Sequence, residues 1–507
     1  MAYKGLFVGV GKHESPHITD LAGAKRDAVA LWALLHDNLP DFEALLLADE
    51  HATCEAVRRA ISDTLMQAEE DDVIFVTFAG HGSDDHRLIL FDTSADPDAF
   101  ESTSIAMSEL ADLFSGSPAK AIVCVLDCCF SGGAPARVFP GRPAARAYKS
   151  PYASVSGKGR VLIAACAIDE SAYEDPRSSH GILTEALLEA LQGIHEPTEI
   201  LALAGDLTKK VRGLAACMGK VQNPNVFGGV EGGLTLSKFT KGDRFLQHFP
   251  DYSRARTDGT VASLVGFGIP DSVTGAWAER FQGEPLHALQ VQAINEKRVL
   301  DGNSLLVVAP TSSGKTFIGE ATAIKAVLEG KKTVFLLPYK ALTNEKYDDF
   351  VSLYEQQLGL RVIRCTGDRT DTVPLFLRGK YDIALLTYEM FLNLIVSSPH
   401  VLGSLGLIVI DEAQFITDPA RGINVELLLT YLIALRNEST GPQIVALSAV
   451  IGGVNHLDQW LGCETLVTTE RPVPLVEGVL DRNGTWQYLD PDGSVELRQL
   501  LPPNQIV

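Results

Sequence analysis

Twice along this chain, short apolar runs alternate with helical patterns, and a stretch with neither separates the two series. The first series contains GLFVGV (5–10), ALLLAD (44–49), DVIFVTFAG (72–80), RLILFD (87–92), AIVCVLD (121–127) and RVLIAAC (160–166). Helical stretches such as AKRDAVALWALL (24–35) and CEAVRRAISDTLMQA (54–68) lie between these runs, and HGILTEALLEALQG (180–193) and EILALAGDLTKKVRGL (199–214) follow. Such alternation implies an α/β unit with a mostly parallel sheet sandwiched by helices. The second series runs SLLVVAP (304–310), TVFLLP (333–338), LRVIRC (360–365), IALLTY (383–388), LGLIVIDE (405–412) and IVALSA (444–449). At 507 residues the chain exceeds one ordinary core, so each series is expected to build its own. The segment from Leu236 to about Ser263 is rich in charge and turn formers and reads as a linker. The expected division is 1–233, linker 234–265, second unit 266–470, and the start of a further region at 471–507.

Charge and cysteine usage narrow the class. A net charge of −21 argues against nucleic-acid binding by the whole surface, but leaves room for a local track. Eight cysteines without CxxC pairs argue against a disulfide scaffold and for a reducing, cytoplasmic setting. No apolar run reaches membrane-spanning length, and no signal-peptide pattern opens the chain, so no membrane association is expected.

Two strand ends in the first unit carry chemistry. His81 follows FVTFAG between two glycines, and Cys128 and Cys129 follow CVLD. In parallel α/β sheets, sites form where the carboxyl ends of strands meet. A thiol there needs a base, and an imidazole at the same edge supplies it. Strand alternation chooses between the cysteines. Ile122, Cys124, Leu126 and Cys128 share one face; Val123, Val125, Asp127 and Cys129 share the other. An ionised Asp127 must face a wet pocket, so Cys129 is expected there with it, while Cys128 packs in the core.

With GHG and DCCFSG each closing an apolar strand, residues 3 to 230 resemble the caspase and metacaspase family of cysteine peptidases. The resemblance implies His81 and Cys129 as the catalytic dyad, with the N–H groups of Gly82 and Cys129 stabilising the oxyanion. HGILTEALLEAL is similar to the helix after that family's substrate-binding strand. Phe130 departs from the histidine that many metacaspases carry there. Asp127, as an acidic pocket wall, would attract a guanidinium or ammonium. The resemblance to metacaspases likewise implies a protein substrate with Arg or Lys before the cleaved bond; the alternative is that Asp127 caps a neighbouring helix. From Ser131 to Ile168 the chain has no acid but carries Arg137, Arg142, Arg146, Lys149, Lys158 and Arg160. This Pro/Gly/Ser-rich stretch is expected to be a mobile loop and a candidate self-cleavage site, or else a solvated or phosphate-binding loop. Asp84 and Asp85 could bind a metal or simply be solvated.

The second unit carries APTSSGKT between an apolar strand and a helical pattern, the context a phosphate loop requires. ATP contacts are expected from Thr311, Ser312, Ser313, Gly314, Lys315 and Thr316. Amides at Ser313 to Lys315 would cradle phosphates, Lys315 would reach the β and γ phosphates, and Thr316 would ligate Mg²⁺. In LIVIDEAQ, Asp411 would share the metal and Glu412 would activate water. With LHALQVQAI, LPYKALTNEK (337–346), TGD (366–368), TYE (387–389), DEAQ (411–414), SAV (448–450), DPARGINVELLL (418–429) and RPVPL (471–475), this part resembles superfamily 2 helicases, closest to the Ski-like branch, and implies a RecA-like P-loop domain. It implies Gln290 at the adenine, LPYKAL, TGD and TYE on a nucleic-acid backbone (RNA or DNA), and Ser448 coupling nucleotide to strand movement. SAV departs from the usual SAT. A second RecA-like lobe, the source of an arginine finger, is missing after RPVPL, and the ending LPPNQIV favours a fragment of a longer chain. The expectation is a nucleic-acid-gated protease with an ATP-dependent helicase motor, suited to bacterial or archaeal antiviral defence. The rivals are a helicase with a non-catalytic caspase-like docking domain, and a nucleotide site with a structural role only.

Overall fold

The computed structural model describes residues 2–129, 159–167, 170–175, 180–230, 233–436, 441–449, 457–469, 478–489 and 493–502. Phe130, five of the six cations of the basic stretch, Val450, the RPVPL segment and most of the ending lie outside the described residues.

The first unit is built on six strands: β1 (Tyr3–Gly9), β2 (Phe42–Ala48), β3 (Val73–Ala79), β4 (Ala121–Asp127), β5 (Arg160–Ala164) and β6 (Asn225–Gly229). Their order is β6-β5-β4-β3-β1-β2, and only β6 runs antiparallel to its neighbour. Val73 to Ala79 and Ala121 to Asp127 are buried throughout, as central strands covered on both faces must be. One face packs with Leu31, Leu34, Leu183 and Leu187; the other packs with Val57, Ile61, Leu110 and Phe114.

The second unit has seven parallel strands: β7 (Leu305–Val308), β8 (Lys332–Leu337), β9 (Val362–Cys365), β10 (Ile383–Thr387), β11 (Leu405–Ile410), β12 (Gln443–Ser448) and β13 (Glu464–Val467). Their order is β9-β10-β8-β11-β12-β7-β13. The strand after the phosphate loop's own strand thus lies three places away, which opens the crevice that such sheets use for ligands.

Three expectations from the sequence need correction. RLILFD supplies no strand to the main sheet: Arg87–Ile89 pairs with Ser104–Ala106, and Leu88 bridges Gly82, after a reversal at His86 with φ of 62°. Arg160 is no loop residue. It opens β5, and its guanidinium donates to the carbonyls of Phe114, Ser117 and Ala119. The linker is largely packed: Phe239 and Phe245 bury in the first core, and Val261, Leu264 and Phe267 in the second. Between them, Arg298 holds the carbonyls of Ser253 and Ala255. Beyond the second sheet, Gly478–Leu480, Thr485–Leu489 and Val495–Gln499 form an antiparallel meander, with Val479, Leu489 and Leu497 exposed.

Candidate active site and nucleotide site

Strand register brings the candidate dyad together. β3 and β4 are adjacent, and Ala79 pairs with Asp127. His81 and Cys129 each stand two residues beyond that rung, at the carboxyl edge. Gly80 N–H donates to the Asp127 carbonyl at 3.2 Å, so the two chains stay together past the ladder. Cys128 is buried in the core with Ile122, Cys124 and Leu126, whereas Cys129 is partly exposed.

His81 is oriented from the other side. Its Nε2 lies 2.8 Å from the carbonyl oxygen of Thr19, in the loop after β1. A carbonyl only accepts, so Nε2 carries the proton and Nδ1 is left as the basic nitrogen. Burial, with the His13 ring 5.4 Å away, pushes the imidazole down to about 4. Burial also pushes the Cys129 thiol up, against hydrogen bonds from the N–H groups of Ala172 and of Cys129 itself. The resting pair is therefore a thiol and a neutral imidazole. Gly82 bridges Leu88, but the bonds of that bridge run from Ser83 N to Arg87 O and from Ile89 N to His81 O. They flank Gly82 and leave its N–H for another acceptor.

Asp127 does not meet water as expected. It is 8% exposed, and its Oδ2 accepts from Thr184 N at 3.0 Å and Thr184 Oγ1 at 2.7 Å. It caps the helix Ile182–Gln192, whose first N–H groups need acceptors. Burial and the nearby Asp27 raise its carboxyl to about 7. Asp27 itself accepts from Gly181 N at 3.0 Å and lies 2.6 Å from His180 Nδ1. Burial pushes the Asp27 carboxyl well up and the His180 imidazole down to about 4, so the ring meets that carboxyl uncharged. A Cβ on Gly181 would stand 2.4 Å from Asp127 Oδ2, so only glycine fits between the two acids. Glu174 is near, accepting from Ala22 N and Gly23 N at 3.2 and 2.6 Å.

Sequence reasoning missed Thr19, Asp27, Glu174 and His180. One signal was available: Asp27 sits on the apolar stripe Ala24, Ala28, Leu31, Leu35 of its helix, where an acid has no reason to be unless it meets a partner. Among the described residues, no cluster of His, Cys, Asp or Glu could hold a metal ion, Asp84 and Asp85 included.

In the second unit the phosphate loop stands between β7 and the helix Lys315–Leu328. Gly314 has φ of +80°, and a Cβ there would strike Gln290 Nε2 at 2.4 Å. Gln290 is spent on the loop itself: Nε2 donates to Gly314 O at 3.0 Å, and Oε1 accepts from His287 N at 2.8 Å. Thr311 and Ser312 are exposed, and Ser312 also has positive φ. Ser313 Oγ is buried with no hydrogen-bond partner among the described residues, and Lys315 Nζ lies 4.0 Å from Glu412 Oε1. An orphaned hydroxyl beside a buried ammonium fits a phosphate. Asp411 directly follows β11, two places from β7, and burial, with Glu412 beside it, raises its carboxyl despite Lys346 and Lys315. Thr316 and Asp411 have the oxygen donors that Mg²⁺ requires. Gln414 Nε2 donates to Glu412, and its Oε1 accepts from Ala449 N at 3.0 Å, which joins DEAQ to SAV.

LPYKAL, TGD and TYE follow β8, β9 and β10, three neighbours, and so line one edge. Tyr339 is half exposed, and Lys340 reaches Asp368 across 3.4 Å. Arg421 ties the group together through Glu389 and the Pro338 carbonyl, both at 2.7 Å. Ser448 is buried at the end of β12, its carbonyl accepting from Ala309 N.

A helical sandwich with a thiol–imidazole edge, followed by a phosphate-loop sheet, defines a two-domain α/β architecture. Residues 4–229 match the family model of the caspase domain, and residues 287–457 match that of the DEAD/DEAH box helicase. The chain thus carries a caspase-like domain and, after it, a RecA-like helicase domain. The helicase part is 37% identical over 197 residues to the ATP-dependent DNA helicase Hel308 of Thermococcus kodakarensis, covering 39% of this chain and 16% of that protein. It is 38% identical over 182 residues to the Hel308 of Caldivirga maquilingensis, covering 36% and 23%. A crystal structure of the DUF1998 helicase MrfA bound to DNA aligns with a TM-score of 0.35 at 22% identity, covering 40% of this chain and 30% of that one. The chain therefore spans less than a quarter of the length of these two relatives. Among the described residues, no helix is long and apolar enough to cross a membrane.

Proposed function

We propose that this chain is a cysteine endopeptidase cleaving after Arg or Lys, coupled to an ATP-dependent nucleic-acid motor. The observation that carries the peptidase half is the shared register of His81 and Cys129, with the Thr19 carbonyl behind the imidazole. In the reaction, Cys129 Sγ attacks the scissile carbonyl carbon while His81 Nδ1 takes the thiol proton. Gly82 N–H and Cys129 N–H receive the oxyanion. The C–N bond breaks, His81 returns the proton to the leaving amine, and water hydrolyses the thioester.

Support for a basic residue before the cleaved bond comes from the acid pair. Asp27 and Asp127 are both buried with raised carboxyls: burial raises each, Asp27 raises Asp127 further, and Glu174 and Glu185 add to the rise of Asp27. A guanidinium entering beside them would discharge a proton and pair with the carboxylate left behind. Asp127 is thus a cap in the resting chain and a recognition group in the loaded one.

On the nucleotide side, Thr311 to Thr316 hold the phosphates, Gln290 braces the loop toward the adenine, Thr316 and Asp411 hold Mg²⁺, and Glu412 orients water. Held by Thr316 and Asp411, Mg²⁺ would supply charge neutralisation at the phosphate. The edge formed by LPYKAL, TGD and TYE is the track for RNA or DNA. Nucleotide or nucleic-acid state would then gate the protease, in keeping with a defence role.

An Arg-bearing fluoromethylketone tests the peptidase half. It should label wild-type protein at Cys129 by peptide mass mapping and leave Cys129→Ala unlabelled. No labelling of Cys129 would instead favour a caspase-like docking domain beside a working motor.

A further inference from the structure

The loop that orients His81 is seated by the other domain. Asp20 is its anchor, with a side chain only 1% exposed. Asp20 Oδ2 accepts from Arg361 NH1 at 2.6 Å, and Lys380 Nζ lies 3.3 Å from Oδ1. Lys380 also donates to the His13 carbonyl at 3.0 Å. Within the loop, Asp20 Oδ1 accepts from His13 N at 3.1 Å. A carboxylate this buried is tolerable only when paired, and the helicase-like domain supplies both cations. Arg361 is fixed in turn, since its N–H donates to Asp382 Oδ2 at 2.8 Å.

A single peptide group completes the connection. The Thr19 carbonyl accepts from His81 Nε2 at 2.8 Å, and the N–H of the same planar unit, on Asp20, donates to the Arg378 carbonyl at 3.0 Å. The path from the imidazole to the second domain is thus two hydrogen bonds through one rigid amide, and bonds in such a chain strengthen one another. Arg361 and Lys380 precede β9 and β10, at the edge of the second sheet opposite the phosphate loop. Around this contact, Arg26 NH1 donates to the Glu329 carbonyl at 3.0 Å, so the helix Ala24–Asn38 of the first domain also touches the second, just before β8.

We propose that Arg361, Lys380 and the Arg378 carbonyl are positioning residues for the peptidase: they seat the Thr19–Asp20 peptide, which fixes the tautomer and orientation of His81. The proposal rests on His81 being the dyad base. It makes the peptidase conditional on docking of the helicase-like domain, and movement of the β9–β10 edge becomes a signal that His81 receives.

The test uses the full chain with Arg361→Met, Lys380→Met and the conservative Arg361→Lys. In a Cys129→Ala background, ring ¹⁵N spectra of His81, assigned by its loss in His81→Gln, should report a single Nε2–H tautomer. The Met variants should shift it to an averaged or reversed tautomer. With Cys129 present, kcat on an Arg peptide should fall tenfold or more in the Met variants with KM within twofold, and Arg361→Lys should recover most of it. Nucleotide binding, at the opposite edge, should be unchanged. An unaltered tautomer in both Met variants would overturn the proposal, as would a kcat that stays at the wild-type value or rises. Wild-type protein that neither cleaves nor labels would sink the peptidase reading alone, because the tautomer readout still decides the positioning. Should the Met variants lose nucleotide binding through misfolding, Asp20→Asn, which removes the charge and needs no buried counter-ion, decides by the same spectra.

Discussion

Asp127 and Thr184 are joined twice, through the backbone N–H at 3.0 Å and the hydroxyl at 2.7 Å. One carboxylate therefore closes the start of a helix and stands beside Asp27 at the candidate recognition pocket. Asn at position 127 keeps an acceptor for Thr184 but removes the charge. Asp127→Asn should reduce kcat/KM on Arg peptides by roughly 30-fold or more, since unpairing a buried charged contact costs about 2–5 kcal/mol. Its stability should change less than its activity. Equal cleavage after Arg and after Asp in both proteins would contradict the pocket.

The raised Asp127 carboxyl has a pH signature. Its folded value of about 7 lies above the unfolded value near 4. Between those limits the folded chain holds a proton that the unfolded chain has released. Its contribution to stability is therefore lost as pH rises from about 4 to about 7. A benzamidine-type cation competes with that proton, so its affinity for Cys129→Ala should increase by about tenfold between pH 6 and pH 8. Calorimetry of Cys129→Ala against Cys129→Ala with Asp127→Asn measures this, and a flat profile in both would remove Asp127 from cation recognition.

Alternation along β4 was enough to separate the two cysteines, because period two is a property of the strand alone. It misjudged the surroundings of Asp127, since parity assigns a face but does not say what covers it. The cover is Thr184, 57 residues further on, together with Asp27 from a different helix. Arg361 and Asp20 are 341 residues apart, and no local pattern points from one to the other. The phosphate loop was legible because its function depends on a contiguous strand–loop–helix. The charged stretch after Leu236 concealed Phe239 and Phe245, two isolated anchors without a period.

Cys128→Ala should leave most peptidase activity and cost about 1 kcal/mol of stability for the small cavity it opens in the core. Cys129→Ala should abolish cleavage with little change in Tm. Parallel measurement of kcat and Tm on both variants separates the two roles. Loss of cleavage in Cys128→Ala alone would reverse the assignment.

Gly314→Ala should remove nucleotide binding more completely than its size suggests. The φ of +80° is strained for alanine, and the new methyl meets the Gln290 amide that braces the loop. Gln290→Ala spares the backbone but frees Gly314 O and His287 N, so it should weaken ATP by an intermediate factor. Equilibrium binding of a fluorescent ATP analogue gives both values, and wild-type affinity in Gly314→Ala would mean that the loop does not carry the phosphates.

Residues 1–507 should bind ATP·Mg²⁺ yet hydrolyse it slowly. Binding draws on Ser313, Lys315, Thr316 and Asp411, with Lys315 close enough to Asp411 to lower its carboxyl against the rise from burial. Rapid turnover in motors of this kind needs a further cation from a facing lobe, worth about 10³–10⁵ in rate. Lys315 already rests 4.0 Å from Glu412, and a nucleotide must draw it away, which frees Glu412 to orient water. Lys315→Ala should therefore abolish binding, while Glu412→Gln should leave binding intact and lower the residual rate further. A filter-binding assay with a parallel phosphate-release assay distinguishes these outcomes. Brisk nucleic-acid-stimulated hydrolysis by residues 1–507 alone would mean that a second copy of the chain, or the meander from Gly478 to Gln499, brings such a cation.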